Sequence, residues 1–339
     1  MTTDNNGKQQ KTKWRRKLTR IAKILLKVKV VNLVTLNGLK AILHLIGRQS
    51  EFAIRYLHPV GIVACKLPNG RKLRLETLAD DIVTTQVFWR GWDGFEPETT
   101  PIFWYLASRA QATLDIGAHV GMLSLLAGHA NPSGQVYAFE PFRPVYERLQ
   151  ANRRFNEGIG LECFHLAIGD EDRTLDFYYI EPEDGSLPSS SSLNRTFMER
   201  GLAFYGLPEC RLKQTPVCVT TADRFAQSQG ISRVDLVKID TESTELAVLR
   251  GMVNILARDR PTLIVEILPS SETLQAIEAL LIPLGYRHRR LVPIMERARK
   301  IHQALEVFTG RVDGYDNYLF TTGDPEQVVN DAHRTIFTL

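Results

Sequence analysis

Apolar and polar positions follow different rhythms in successive parts of this chain. Trp14, Leu18, Ile21, Leu25 and Val28 recur at spacings of three and four, with Arg16, Lys17, Arg20, Lys23 and Lys27 largely off that face. This predicts a basic amphipathic helix. Residues 30–46 are apolar but broken by Asn37, Gly38 and Lys40. Their longest uncharged run falls short of the roughly 18 residues that a spanning helix needs. Residues 62–65 and 72–75 flank Leu-Pro-Asn-Gly and read as a β-hairpin with an Asn-Gly turn. Asp80, Asp81, Thr84 and Thr85 follow, then the aromatics Phe88, Trp89, Trp92 and Phe95, read as core or lid packing. Pro97 is placed to open a helix running to about Arg109.

Residues 113–140 carry the pattern around which the rest is organised. A short apolar run ends in Asp115, Gly117 and Gly121 follow, and an apolar-periodic stretch occupies 122–129. Asn131, Pro132 and Gly134 punctuate it, and a second apolar run over 136–139 ends in Glu140. The reading is strand, glycine turn, helix, turn, strand, each strand closing on a carboxylate. Downstream, Phe142, Val145, Leu149 and Phe155 mark a helix face, with Gly158 and Gly160 ending the helix. Strands are predicted over 161–168, 174–180, 234–239, 262–268, 286–291 and 315–322. Residues 221–225 read as a capped short helix and 274–284 as a longer one. Ser243 is placed to cap a helix over 244–257. Residues 181–216, with Pro182, Gly185, Pro188, four consecutive serines (Ser189 to Ser192) and Pro208, are the least regular part. They read either as a lid over an acceptor or as a solvated loop.

Strands alternating with helices predict an α/β domain with a mostly parallel sheet, and ligands in such sheets bind outside the carboxyl ends of the strands. Gly117 would turn the backbone tightly and bring it close to a ligand. Glu140 could accept both hydroxyls of a ribose. A dinucleotide site wants G-x-G-x-x-G, whereas Ala118, His119 and Val120 separate Gly117 from Gly121 here. Asp115 would oppose a pyrophosphate and favour a cationic ligand, such as the α-amino group and sulfonium of S-adenosylmethionine. The alternative is a βαβ unit with chance carboxylates. By strand order, the backbone near Ala167 falls where an adenine edge is read. Asp240 ends the fourth strand, beside Asp115 if the sheet reverses after its first strand. There it is the first candidate to take a proton from a hydroxyl acceptor, and Glu242 the second. Two carboxylates could also hold a divalent metal, but one short cluster does not indicate it. Glu245 reads as a first-turn acid favoured by the helix dipole. Lys238 could pair with Glu266 or orient a ligand.

Composition changes this picture in two places. The hydrophobic share of 44% is ordinary for a soluble globular chain. Residues 1–48 hold twelve Lys or Arg against one acid, Asp4, a charge of +11. The total of +4 therefore leaves −7 on the rest. The basic arm, residues 14–46, would touch an anionic membrane surface peripherally or pack on the main domain or a second subunit; nucleic acid fits less well. Cys65, Cys163, Cys210 and Cys218 form no C-x-x-C pair, which points to reduced thiols, a cytoplasmic setting and no zinc site.

Asp-Ile-Gly-Ala-His-Val-Gly, Ala-Phe-Glu-Pro-Phe-Arg-Pro, Leu-Ala-Ile-Gly-Asp, Val-Lys-Ile-Asp-Thr-Glu-Ser-Thr-Glu-Leu-Ala-Val-Leu-Arg-Gly and Ile-Val-Glu-Ile follow one another between residues 113 and 286. In this order they resemble the FkbM-type methyltransferases. The resemblance implies a Rossmann-like class I methyltransferase fold: a seven-stranded, mostly parallel sheet with helices on both faces, here with a helical N-terminal extension. It implies S-adenosyl-L-methionine as cofactor and O-methylation of a sugar or small natural-product hydroxyl. Asp115, Gly117 and Gly121 would cradle the methionine part, with His119 in the same turn and Ala167 among the cofactor contacts. Glu140 would hold the ribose. Asp240, Glu242 and Glu245 match the family's Asp-x-Glu-Gly-x-Glu signature, but the family's glycine is Ser243 here. That departure sustains a second reading, a non-catalytic cofactor-binding or scaffold protein localised by its basic arm. The expected division is an arm over 1–48, a lead-in hairpin and helix over 49–110, the methyltransferase domain over 111–323 and a C-terminal tail over 324–339. If the arm is a membrane anchor, deleting residues 1–48 abolishes sedimentation with anionic liposomes; unchanged sedimentation removes that role.

Overall fold

The computed structural model describes residues 29–45, 51–183, 185–188, 190–267, 271–292 and 316–337. The amphipathic helix expected from Trp14 to Val28, and Ser189, lie outside them. Among the described residues the first elements are α1 (Lys29–Leu45), α2 (Glu51–Tyr56), the strands β1 (Val60–Lys66) and β2 (Lys72–Leu78), α3 (Ile82–Arg90) and α4 (Thr100–Ala107). Next come β3 (Ala112–Ile116), α5 (Met122–Ala130), β4 (Gln135–Phe139), α6 (Arg143–Arg154) and β5 (Gly160–Phe164). A middle section holds β6 (Ala167–Ile168), β7 (Arg173–Ile180), β8 (Ser191–Ser192), α7 (Arg195–Tyr205), β9 (Leu212–Thr220) and α8 (Ala222–Ser228). The last section holds β10 (Leu236–Ile239), α9 (Glu245–Arg250), α10 (Val253–Arg258), β11 (Thr262–Ile267), α11 (Ser271–Leu281), β12 (Arg287–Arg290), β13 (Asp316–Thr321) and α12 (Pro325–Phe337).

Seven strands form the main sheet in the order β12-β13-β11-β10-β3-β4-β5. β11, β10, β3, β4 and β5 run parallel, and β13 is antiparallel to both its neighbours. Every residue of β3 and β10 is buried, as strands covered by helices on both faces must be. The order reverses between β3 and β10, which sets Asp115 opposite Lys238 and leaves a crevice at their carboxyl ends. One hydrophobic core collects Phe103, Leu125, Leu149 and Leu319; the other face collects Val248, Leu256, Leu263 and Ile277.

Four differences from the sequence reading have physical causes. Residues 181–216 are not one irregular loop: β8, α7 and the start of β9 lie within them. The Asn194 side chain accepts from Phe197 N–H at 3.1 Å to cap α7, and Gly206 closes it in the left-handed region at φ 63°. β6, β9, β7 and β8 form a second sheet. The helix expected over 244–257 is two helices, broken where a Cβ on Gly251 would stand 1.9 Å from the Gly169 carbonyl oxygen. Ser243 caps neither. The expected C-terminal tail is α12, which buries Val329, Ala332 and Ile336 against the main core.

The lead-in is built onto the main domain. α1 packs Leu36 with Ile54, Val63, Phe88 and Trp89, leaving Val34 and Ile42 exposed. So this part of the arm lies on its own domain, and no helix among the described residues is long and apolar enough to cross a membrane. A truncation after residue 28 tests the basic arm without unpacking α1. At the hairpin, Asn152 accepts from Glu76 N–H at 2.7 Å and donates to Val120 C=O at 2.8 Å, wholly buried. Arg148 donates to both carboxylate oxygens of Asp80 at 2.9 and 2.8 Å, a bidentate and largely dry pair. Replacing Asn152 with Ala strands a buried N–H and a buried C=O. The expected loss is on the order of 3 kcal/mol in urea unfolding; a loss below about 1 kcal/mol would mean that water restores both bonds.

Candidate active site

The site grows from the turn after β3. Gly117 and Ala118 N–H both donate to the Phe139 carbonyl, at 3.0 and 2.9 Å, which ties the turn to the end of β4. The turn visits the left-handed region three times, at Gly117 (φ 86°), His119 (φ 52°) and Gly121 (φ 87°). At both glycines a side chain would meet protein. A Cβ on Gly117 would lie 1.7 Å from the Asp240 carbonyl oxygen, and one on Gly121 2.3 Å from Leu149 Cδ1. Gly117 also lines the neighbouring cavity, so its lack of a Cβ serves the close approach of the second acidic loop on one side and leaves the turn open on the other.

Beyond these strand ends lies a cavity of about 330 Å³. Asp115, Gly117, His119, Glu140, Ala167, Asp240 and Glu242 all line it. Gly121 does not; it sits behind the turn, under Leu149. Glu245 also stays out of the lining: its Oε1 accepts from Ser243 N–H at 2.9 Å and from the Thr241 hydroxyl at 3.1 Å, bracing its own loop.

The electrostatics are unusual for so small a space. Glu140 Oε1 accepts from Phe142 N–H at 2.8 Å and Oε2 from His119 N–H at 3.1 Å. Each oxygen keeps a second lone pair. Burial, opposed by those two bonds and reinforced by Asp115 and Asp240, pushes the Glu140 carboxyl up to about 7. Burial also pushes Asp115 up to about 6, against a hydrogen bond from the Ser124 hydroxyl. Lys238, 1% exposed, stands 3.3 Å from Asp240 and 4.0 Å from Glu96. Burial works against its charge, but Asp240, Glu96, Glu266 and Asp115 together hold it firmly protonated. Burial works against Asp240 as well, yet Lys238 and a hydrogen bond with Glu266 hold it below the usual carboxylate range. Glu266 moves the other way, raised by burial and by Asp240, so Glu266 keeps the proton that the pair shares. His119 is held neutral by burial, its Nε2 3.3 Å from the Pro188 carbonyl.

Sequence reasoning brought Asp115, Glu140 and Asp240 to one edge and named Lys238 and Glu266 without a place. It missed Glu96 and Ser124. Glu96 sits at φ 40° between Phe95 and Pro97, a strained turn that an aromatic-acid-proline triplet does not advertise. Ser124 lies in the first turn of α5, where a hydroxyl among leucines was the available signal.

Could these residues hold a nucleoside sulfonium? The cradle fits. A buried carboxylate with open lone pairs suits a diol, and carboxylates outnumber cations along the lining, which suits a ligand with net positive charge. Among the described residues no group of His, Cys, Asp and Glu is placed to hold a metal ion.

Residues 115–288 match the family described as Methyltransferase FkbM domain, just over half of the chain. Among curated proteins, Methyltransferase sdnD of Sordaria araneosa is 27% identical over 191 residues, covering 51% of this chain and 72% of that protein. The 31-O-demethyl-FK506 methyltransferase FkbM of Streptomyces tacrolimicus is 30% identical over 156 residues, covering 41% of this chain and 58% of that one. A solved structure, methyltransferase FkbM of Methylobacillus flagellatus KT, is 15% identical with a TM-score of 0.41, covering 72% of this chain and 53% of that one. The matched segment opens on Asp115, near the end of β3, and ends in β12, so it reaches every parallel strand of the sheet and takes in both acidic loops: the chain belongs to the FkbM methyltransferase family.

Proposed function

We propose that this methyltransferase uses S-adenosyl-L-methionine to methylate a hydroxyl of a sugar or small natural-product acceptor. The observation that carries the cofactor reading is Glu140: a buried carboxylate at a strand end, in a cavity, which among the described residues accepts from two backbone N–H groups and has lone pairs left for two hydroxyls. Asp115, one strand over, supplies negative charge for the α-amino and sulfonium end. Ala167 lines the adenine side. The bound cofactor supplies a methyl carbon on a sulfonium leaving group. The chain's own residues then hold an acceptor oxygen in line with that carbon and exclude water around it, which is where most of the acceleration of such a displacement arises.

The two proton-accepting candidates separate on their surroundings. Asp240, tied to Lys238 and to the proton on Glu266, is a weak base, and its role is to fix the acceptor's orientation through its charge. Glu242 lines the same cavity and takes the acceptor's proton. Hydroxyl acceptors also suit the polar wall made by Ser190, Ser191 and Thr241.

Calorimetric titration with S-adenosylhomocysteine tests the cofactor reading. Micromolar binding is expected for the wild type, weakened more than tenfold in an Asp115→Ala, Glu140→Ala double variant. A folded wild type that binds nothing would leave the scaffold role instead. The pH dependence follows from the raised carboxyls. Without ligand, Asp115 and Glu140 release their protons near 6 and 7, whereas hydroxyl and ammonium donors bind the ionised forms. Binding below those values must expel the protons, so affinity should climb about tenfold or more from pH 5.5 to 7.5 and then level off. A Glu140→Gln variant should show a flatter profile; identical profiles would clear Glu140 of the effect.

A further inference from the structure

The serine that stands where the family's signature has glycine is not idle. Ser243 adopts φ 83°, and Glu242 before it φ 55°, two successive left-handed residues that side chains disfavour. The Ser243 hydroxyl accepts a hydrogen bond from Asn194 Nδ2 at 2.7 Å. The same asparagine caps α7 through Oδ1 and donates its own N–H to the Ser192 hydroxyl at 2.9 Å. Ser192, 0% exposed, donates in turn to the Glu242 carbonyl at 2.6 Å. Two adjacent residues of the acidic loop are thus bonded to one short segment, β8 and the start of α7.

That segment forms one wall of the cavity. Ser190, Ser191 and Leu193 line it, and Tyr205, at the far end of α7, stands at its mouth 60% exposed. Glu140 and Ala167 lie at the ends of other strands, on the side assigned to the cofactor. We infer that Ser243, through Asn194, is a positioning residue: it pins the acceptor-side wall to the loop that carries Glu242, so that wall and carboxylate keep one relative placement. A glycine at 243 would accept the same φ with less strain but would offer Asn194 no oxygen. Ser243 holds a strained turn and, with it, a cross-link to Asn194. The description of the wall as acceptor-side rests on the proposed function; the latch itself does not.

Backbone strain and the latch make opposite forecasts for Ser243→Gly, and hydrogen–deuterium exchange of the full chain reads them apart. If strain were all that mattered, Ser243→Gly would leave α7 amides as protected as in the wild type or more so. The latch requires that Ser243→Ala and Ser243→Gly both speed exchange over residues 195–205 about tenfold. S-adenosylhomocysteine affinity, titrated on the same samples, should stay within twofold. Asn194→Ser keeps a capping oxygen but cannot reach Ser243, and should behave like Ser243→Ala. Asn194→Asp keeps the cap and can accept from the Ser243 hydroxyl, so it should return α7 to wild-type protection. Unchanged α7 exchange in both Ser243 variants would overturn the inference, as would equal loosening by Asn194→Ser and Asn194→Asp. A wild type that fails to bind S-adenosylhomocysteine would sink the cofactor reading while leaving the exchange result to decide the latch.

Discussion

The contact on which the rest of the site depends is one without a side chain. The Asp240 carbonyl oxygen occupies the place where a Cβ on residue 117 would stand, 1.7 Å from it. Only glycine allows β3 and β10 to end this close together, and the Asp240 N–H bond to the Ile116 carbonyl at 2.9 Å closes the junction. Everything downstream inherits that distance. Asp115 and Asp240 are brought to one edge, Lys238 is drawn between the carboxylates, and the turn through His119 is aimed at Glu140. A wider junction would separate the two acidic loops into unrelated features of the surface.

Crowding carboxylates this way has a cost, and the structure spreads it over several groups. Asp115 and Glu140 keep their protons to unusually high pH, Glu266 holds one against Asp240, and a single buried ammonium serves the remaining charge. A cationic ligand would relieve part of that tension, which is why the cavity's charge points to a sulfonium more firmly than its shape does. The same crowding separates acids that look alike in sequence. Asp240 is held below the usual carboxylate range beside Lys238, Glu245 bonds within its own loop through one oxygen, and Glu242 lines the cavity.

How far the sequence carried follows from where its signals were local. Apolar runs that end in an acid are visible in a string of letters, so the ends of β3, β4 and β10 were legible, and the rule for parallel sheets then put two of them side by side. The hairpin was legible from Asn69-Gly70. What stayed hidden were relations between distant segments. The partner of Gly117 is 123 positions away in the chain, at Asp240. The Ser243 hydroxyl looked like a helix cap because capping is local, whereas its real partner, Asn194, is 49 positions off. The helix α7 was obscured because its hydrophobic face is narrow, with Met198 and Leu202 buried, and it lies among prolines and serines that suggest a loop. α12 was dismissed as a tail for a similar reason: its buried positions make sense only once α4 is there to receive them.

The position of β13 has a consequence for how the molecule is made. This strand follows both β11 and β12 in the chain, yet it sits between them in the sheet, and its Asn317 side chain reaches Glu96 at 3.2 Å. Until residues 316–321 have been synthesised, β11 presents an open edge and, among the described residues, β12 has no sheet neighbour. The catalytic half of the molecule must therefore wait, with its edge bare, for residues 316–321 to emerge. Newly made chains pass through an interval in which a foreign strand could add where β13 belongs, and a truncation that spares every cavity-lining residue would still leave the protein permanently in that interval.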